Sequence, residues 1–149
     1  MNERLEYQQL ECYKLANDMQ KEKLNREPYF DLGKLPGKQL QTEFAEYIYY
    51  RGTQVSILTI KAERQHFNSL CEFFKKPSHQ KNSLLDREKD IWIKQLKLWM
   101  MQNGRALTKH KVTSIQTESV EKAALIRYFE NLLEFTLDRS ETNELAKDI

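Results

Sequence analysis

In the stretch SILTIKAERQHFNSLCEFFKK, residues 56–76, Lys61, Arg64, Gln65 and Asn68 lie off an apolar stripe made of Ile60, Phe67, Leu70 and Phe74. Separations of three and four residues bring these polar side chains onto neighbouring parts of one helix surface. Lysine and arginine offer positive charge to phosphates, and arginine, glutamine and asparagine can make paired hydrogen bonds to base edges in the major groove. The chemistry open to such a surface is recognition of a duplex rather than bond making. The rival is a solvated face, since charged residues cover the outside of amphipathic helices in any soluble bundle. With 24 basic against 22 acidic side chains and a formal net charge of +2, composition alone favours that rival.

Other chemistry is not encoded at recognisable spacing. His66, His79 and His110 lack the i,i+4 spacing or cysteine companions of a metal site, and structural or surface roles are expected of them. Gly33, Gly37, Gly52 and Gly104 are scattered, so no glycine-rich phosphate loop exists. Cys71 follows His66 by five residues, which turns the two side chains to different faces of a helix and rules out a nucleophile–base pair. Cys12 and Cys71 fall among apolar positions and read as reduced core thiols of an intracellular protein. No cofactor, no metal and no catalysis by this chain alone are expected.

These side chains need elements to hold them, and the periodicity supplies candidates. The 149 residues suffice for one domain with a single core, and few glycines and prolines interrupt long periodic runs. Residues 2–26 are expected to form a polar helix in which Leu5, Cys12 and Met19 recur every seven residues, with a partner surface as one reading of that stripe. The loop PYFDLGKLPG follows, with Phe30, Leu32 and Leu35 as anchors.

A first core helix spans 38–51 with Leu40, Phe44, Tyr47 and Ile48 inward and Gly52 as its C-cap. The second, capped by Ser56 or Thr59, runs to about 75 and stops at Pro77. The third begins at Ser83 or Asp86, carries Ile91, Trp92, Leu96, Trp99 and Met100, and ends at Asn103 and Gly104. RALTKHKVTSIQT, the most basic linker, precedes a fourth helix over 118–138 with Val120, Ala124, Leu125, Tyr128, Phe129, Leu132 and Phe135 inward. The expected fold is all-α, a compact four-helix bundle with an additional N-terminal helix or arm. Strands have little room in it. With no secretory signal and no run near the ~20 apolar residues of a membrane span, the expectation is a cytoplasmic protein without a membrane partner.

Two stretches carry a family resemblance. SILTIK at 56–61, followed by Phe67, Leu70, Phe73 and Phe74, is similar to the capping Ser/Thr, Thr-Ile and Phe-rich helix end of the N-terminal core-binding, SAM-like domain of tyrosine recombinases, the integrases and transposases of mobile elements. ALIRYFENLL at 124–133 resembles the Leu-Arg-x-Phe segment of that domain's last helix, and EFAEYIYYRG and DIWIKQLKLWM fit its first and middle helices. Glu63 stands where the family commonly has an aromatic residue. The resemblance covers 38–138; it implies that 1–37 form an added arm and that 139–149 begin a linker to a missing C-terminal catalytic domain.

That catalytic domain would hold the family's arginines, His-x-x-Arg motif and nucleophilic tyrosine, so none of the tyrosines here is expected to be catalytic. The resemblance implies double-stranded DNA as partner, with neighbouring recombinase protomers on it. It places Thr59, Lys61, Arg64, Gln65 and Asn68 of the second core helix, and Ser119, Lys122 and Arg127 of the last, near DNA. Lys109, Lys111 and Thr113 would hold the backbone at the last helix's start. For Arg127 a structural pairing inside the bundle competes with the DNA role. A protein-interaction bundle without DNA binding is the alternative for the whole chain.

Overall fold

A computed structural model of the chain describes residues 3–24, 26–103 and 115–147, the last stretch with its side chains from 122 onward. Eight regular elements follow in order: β1 (Arg4–Glu6), α1 (Glu11–Lys14), α2 (Asp18–Glu22), β2 (Tyr29–Asp31), α3 (Lys38–Arg51), α4 (Ile57–Phe73), α5 (Lys89–Gln102) and α6 (Ile115–Lys147). The chain is mostly helical, as its composition implies, with one small sheet added.

The first thirty residues correct the expectation of a single polar helix. Arg4, Leu5 and Glu6 pair antiparallel with Asp31, Phe30 and Tyr29, and the period of two turns Leu5 and Phe30 together into the core. The Arg4 guanidinium lies over the Tyr29 ring at 4.3 Å. Asn17 then caps α2 by accepting from the Gln20 N–H, and the Gln20 side chain accepts from the Asn17 N–H, so a local capping box starts a new helix in mid-segment. Leu5, Tyr7, Leu10, Cys12 and Leu24 are buried in the same core as the long helices, whereas Met19 is 70% exposed. The seven-residue recurrence therefore does not form a seam for a partner helix. Its first two members are inside this chain.

The arm is fastened at the turn between α3 and α4. The Cys12 N–H donates to the Gly52 carbonyl at 3.0 Å, and a Cβ on Gly52 would lie 3.1 Å from the Leu10 Cβ. Glycine at this C-cap is thus favoured by a tight approach that a Cβ could meet only if Leu10 gave way, not by a left-handed backbone, since its φ is −62°. Gly37, at φ 113°, opens α3 in a region that other residues avoid.

The aromatic centre joins all four long helices. Phe74 of the α4 cap meets Phe44 of α3, Trp92 of α5 and Phe129 of α6 at ring separations of 6.1, 5.6 and 6.3 Å, all edge-on. Phe30 and Leu35 anchor the loop between arm and bundle as expected, and Leu32 packs at the core margin. Ser83 does cap a turn, but a 3-10 one over Leu84–Asp86, and α5 begins only at Lys89. Trp92, Leu96, Trp99 and Met100 are inside as expected, but Ile91 is exposed and Ile93, one and two turns before Leu96 and Met100, takes the inward place. In α6 Ala124 is exposed and Phe135 only half-buried, while Leu133 and Thr136 are inside. The helix runs on through the residues expected to begin a linker, as far as Lys147. Among the described residues no helix is long and apolar enough to cross a membrane.

Candidate nucleic-acid interface

Helix α4 is sunk in the molecule on most sides: Ile57, Ile60, Phe67, Ser69, Leu70, Cys71 and Phe73 are all buried. Ser56 caps it by accepting from the Thr59 N–H at 3.3 Å. Lys61, Gln65 and Glu72, with half-buried Asn68 between them, form one lengthwise strip that reaches the surface. Glu72 pairs with Lys75 at 2.7 Å, which removes most of the strip's negative charge. Thr59 is exposed too, but two residues before Lys61 it emerges about 160° around the helix and belongs to another side.

The basic members of the strip meet the arm of the same chain. The Lys61 ammonium donates to the Lys23 carbonyl at 2.6 Å, and the Arg64 guanidinium donates to the Glu27 carboxylate. The Arg64 side chain is 18% exposed and that of Glu27 62%. Glu27 adopts φ 50°, the only positive φ of a non-glycine residue among those described, at a cost of about 1–2 kcal/mol for an L-residue. Beside Arg64 the Tyr7 hydroxyl is buried with no acceptor for its proton among the described residues. Burial raises the Tyr7 pKa, and the nearby Arg64 charge opposes that rise.

Glu63 accepts two hydrogen bonds from Arg51 at 3.0 and 3.1 Å, so a forked ion pair ties α3 to α4. The same bond raises the Arg51 pKa against the opposing effect of burial. His66 lies tilted against Tyr128 at 5.5 Å. His79 is buried against Phe73, stacked at 4.0 Å, with its Nδ1 2.7 Å from the Phe73 carbonyl; that contact makes Nδ1 the protonated nitrogen. Burial lowers its pKa, the Phe73 bond raising it in part. Cys71 is buried and its pKa is pushed up to about 12 by that burial. Among the described residues no group of three His, Cys, Asp or Glu side chains is placed to hold a metal ion.

On α6, Arg127 is exposed and Lys122 half-buried. Five residues apart, they point about 140° away from each other and share no face. The side chain of Ser119, and Lys109, His110, Lys111 and Thr113 altogether, lie outside the described residues. The geometry therefore gathers Lys61, Arg64, Gln65 and Asn68, and separates Thr59, Lys122 and Arg127 from them and from one another. Sequence reasoning missed Tyr7, Lys23 and Glu27, which close over the basic pair. The one local signal was the Glu27-Pro28 step, a turn mark.

Comparison with protein-family models, with curated proteins and with solved structures finds no match to this chain.

Proposed function

We propose that the chain is a duplex-DNA-binding helical domain of the kind that tyrosine recombinases use to grip a recombination half-site, with α3 to α6 as the SAM-like bundle and no strand cleavage of its own. The observation that carries this reading is the strip on α4. A helix otherwise committed to the core presents lysine, glutamine and asparagine at i, i+4 and i+7, with an arginine at its edge. Those are side chains that read phosphates and base edges together. The likeness of SILTIK and ALIRYFENLL to the family's second and last helices supports it independently of charge.

The test is a titration of labelled mixed-sequence duplex with the whole chain over a range of salt. Lys61→Ala is expected to weaken binding to all sequences and to flatten the salt dependence by about 0.9 in slope, one phosphate contact. Gln65→Ala with Asn68→Ala is expected to erase preference among sequences selected from a randomised pool. Absence of amide shifts along 61–72 on adding duplex at low ionic strength would overturn the reading.

A second reading rests on α5. Ile91, Leu98 and Met101 stand exposed at i, i+7 and i+10, close to one side of that helix. That apolar face favours a protein-interaction module, and Leu98→Glu would abolish association there while leaving duplex binding unchanged.

A further inference from the structure

Four observations meet at the edge of the α4 strip. Tyr7 is 1% exposed, and its hydroxyl, near enough to Arg64 for that guanidinium to act on its oxygen, finds no acceptor for its own proton among the described residues. A native structure seldom leaves such a donor unmade unless something else can arrive there. Arg64 lies beside it and holds the Glu27 carboxylate. Glu27 is held in a left-handed backbone conformation that an L-residue leaves readily. Leu24 and Phe30, both buried, and the Pro28 carbonyl, which accepts from the Tyr7 N–H at 2.9 Å, hold the chain on either side, so the exposed Glu27 side chain can swing away without opening the core.

We propose that Tyr7, Arg64 and Lys61 form a site for a backbone phosphate of duplex DNA, and that Glu27 occupies it as a displaceable carboxylate, its side chain a strap over the binding strip. This deepens the duplex reading and rests on it. Carboxylate and phosphate oxygens are alternative acceptors for the same guanidinium. The phosphate has more oxygens to offer, enough to engage Arg64 and also accept from the orphaned Tyr7 hydroxyl, which Glu27 leaves unbonded. Among the described residues Lys61 donates to the Lys23 carbonyl, and its ammonium carries three donors, leaving capacity for the incoming group. The exchange is easy because the Glu27 side of the pair is open to water and an exposed ion pair holds weakly.

The experiment compares the whole chain with Glu27→Gln, with Glu22→Gln as a control for an equal charge change in the same arm, and with Glu27→Gln/Tyr7→Phe. Circular dichroism checks that each is folded, and two ligands are titrated: pyrophosphate, followed at the Arg64 side-chain NMR signal, and a short mixed-sequence duplex. Glu27→Gln is expected to bind both about fivefold more tightly than the natural chain, the worth of a partly exposed ion pair. Glu22→Gln is expected to change binding by about twofold at most, as a screened surface charge, and Tyr7→Phe to remove part of the gain. Pyrophosphate affinity no higher in Glu27→Gln than in Glu22→Gln overturns the strap, whatever the duplex does. A gain for pyrophosphate at Arg64 with no duplex binding by any variant upholds the anion site and its carboxylate cover, and overturns the duplex as its occupant.

Discussion

Glu43 offers the sharpest test of how the bundle is held. It lies on α3 with 4% exposure, and its carboxylate accepts from the Ser83 hydroxyl at 2.5 Å, the Leu84 N–H at 2.8 Å and the Gln39 amide at 3.2 Å. The turn so captured is bound from the other side by Trp92, whose indole N–H donates to the Leu84 carbonyl at 2.9 Å. One acidic side chain therefore fixes the entry to α5 against α3. Glu43→Ala removes all three hydrogen bonds, of which the long one from Gln39 counts least, and strands the buried Leu84 N–H. Each such bond is worth roughly 1.5–3 kcal/mol, and relief from burying the carboxylate offsets part of the sum, leaving a loss of about 3 kcal/mol. For a chain of this size that is a drop of about 6–12 °C in Tm, or about 1.5 M in the urea midpoint at a slope near 2 kcal/mol/M. Glu43→Gln keeps one oxygen for the Leu84 N–H and is expected to lose only about 1 kcal/mol. Urea unfolding followed by tryptophan fluorescence reads both. A Glu43→Ala chain within about 0.5 kcal/mol of the natural one would refute the reasoning, because that is the range of substitutions that touch nothing.

Two further outcomes concern pH. Burial pushes Tyr47 and Cys71 up to about 12 and raises Tyr128 well above its ordinary value; groups whose folded pKa is raised stabilise fully below the unfolded value, so stability should fall as pH climbs from about 9 toward 12, and phenolate absorbance that rises before unfolding at all three buried tyrosines would contradict it. His79, whose pKa burial lowers, should contribute stability above its ordinary 6.5 that is lost as pH falls below it; imidazole NMR should find it titrating below 6.5 with the proton of the neutral form on Nδ1, and titration at or above 6.5 would sink that account.

The long helices were legible because their apolar residues recur on one side and their ends carry short-range marks. Ser56 caps α4, Gly52 ends α3, and Phe44, Phe67, Phe74, Trp92 and Phe129 are where the period places them. The arm was not legible. Leu5 and Cys12 satisfy a seven-residue pattern by coincidence, whereas a three-residue strand pair and two helices of four and five residues leave too little periodicity to detect. Ile91 and Ile93 flank Trp92 at either edge of the α5 stripe, and periodicity alone did not say which edge turns inward. At the candidate site, helical spacing could gather Lys61, Arg64, Gln65 and Asn68. It could not find Lys23 and Glu27, which lie 38 and 37 residues away along the chain from the bases they engage.

The aromatic centre also bears on how the polypeptide is made. Phe44, Phe73, Phe74 and Trp92 leave the ribosome first, and the ring that covers them, Phe129 of α6, comes after the basic segment that follows α5. At about 5–20 residues per second the nascent chain spends several seconds with this greasy wall bare. Ribosome-stalled or prematurely terminated products ending short of α6 are thus the ones that clump, and α6 doubles as the lid that keeps the newborn molecule from sticking to its siblings.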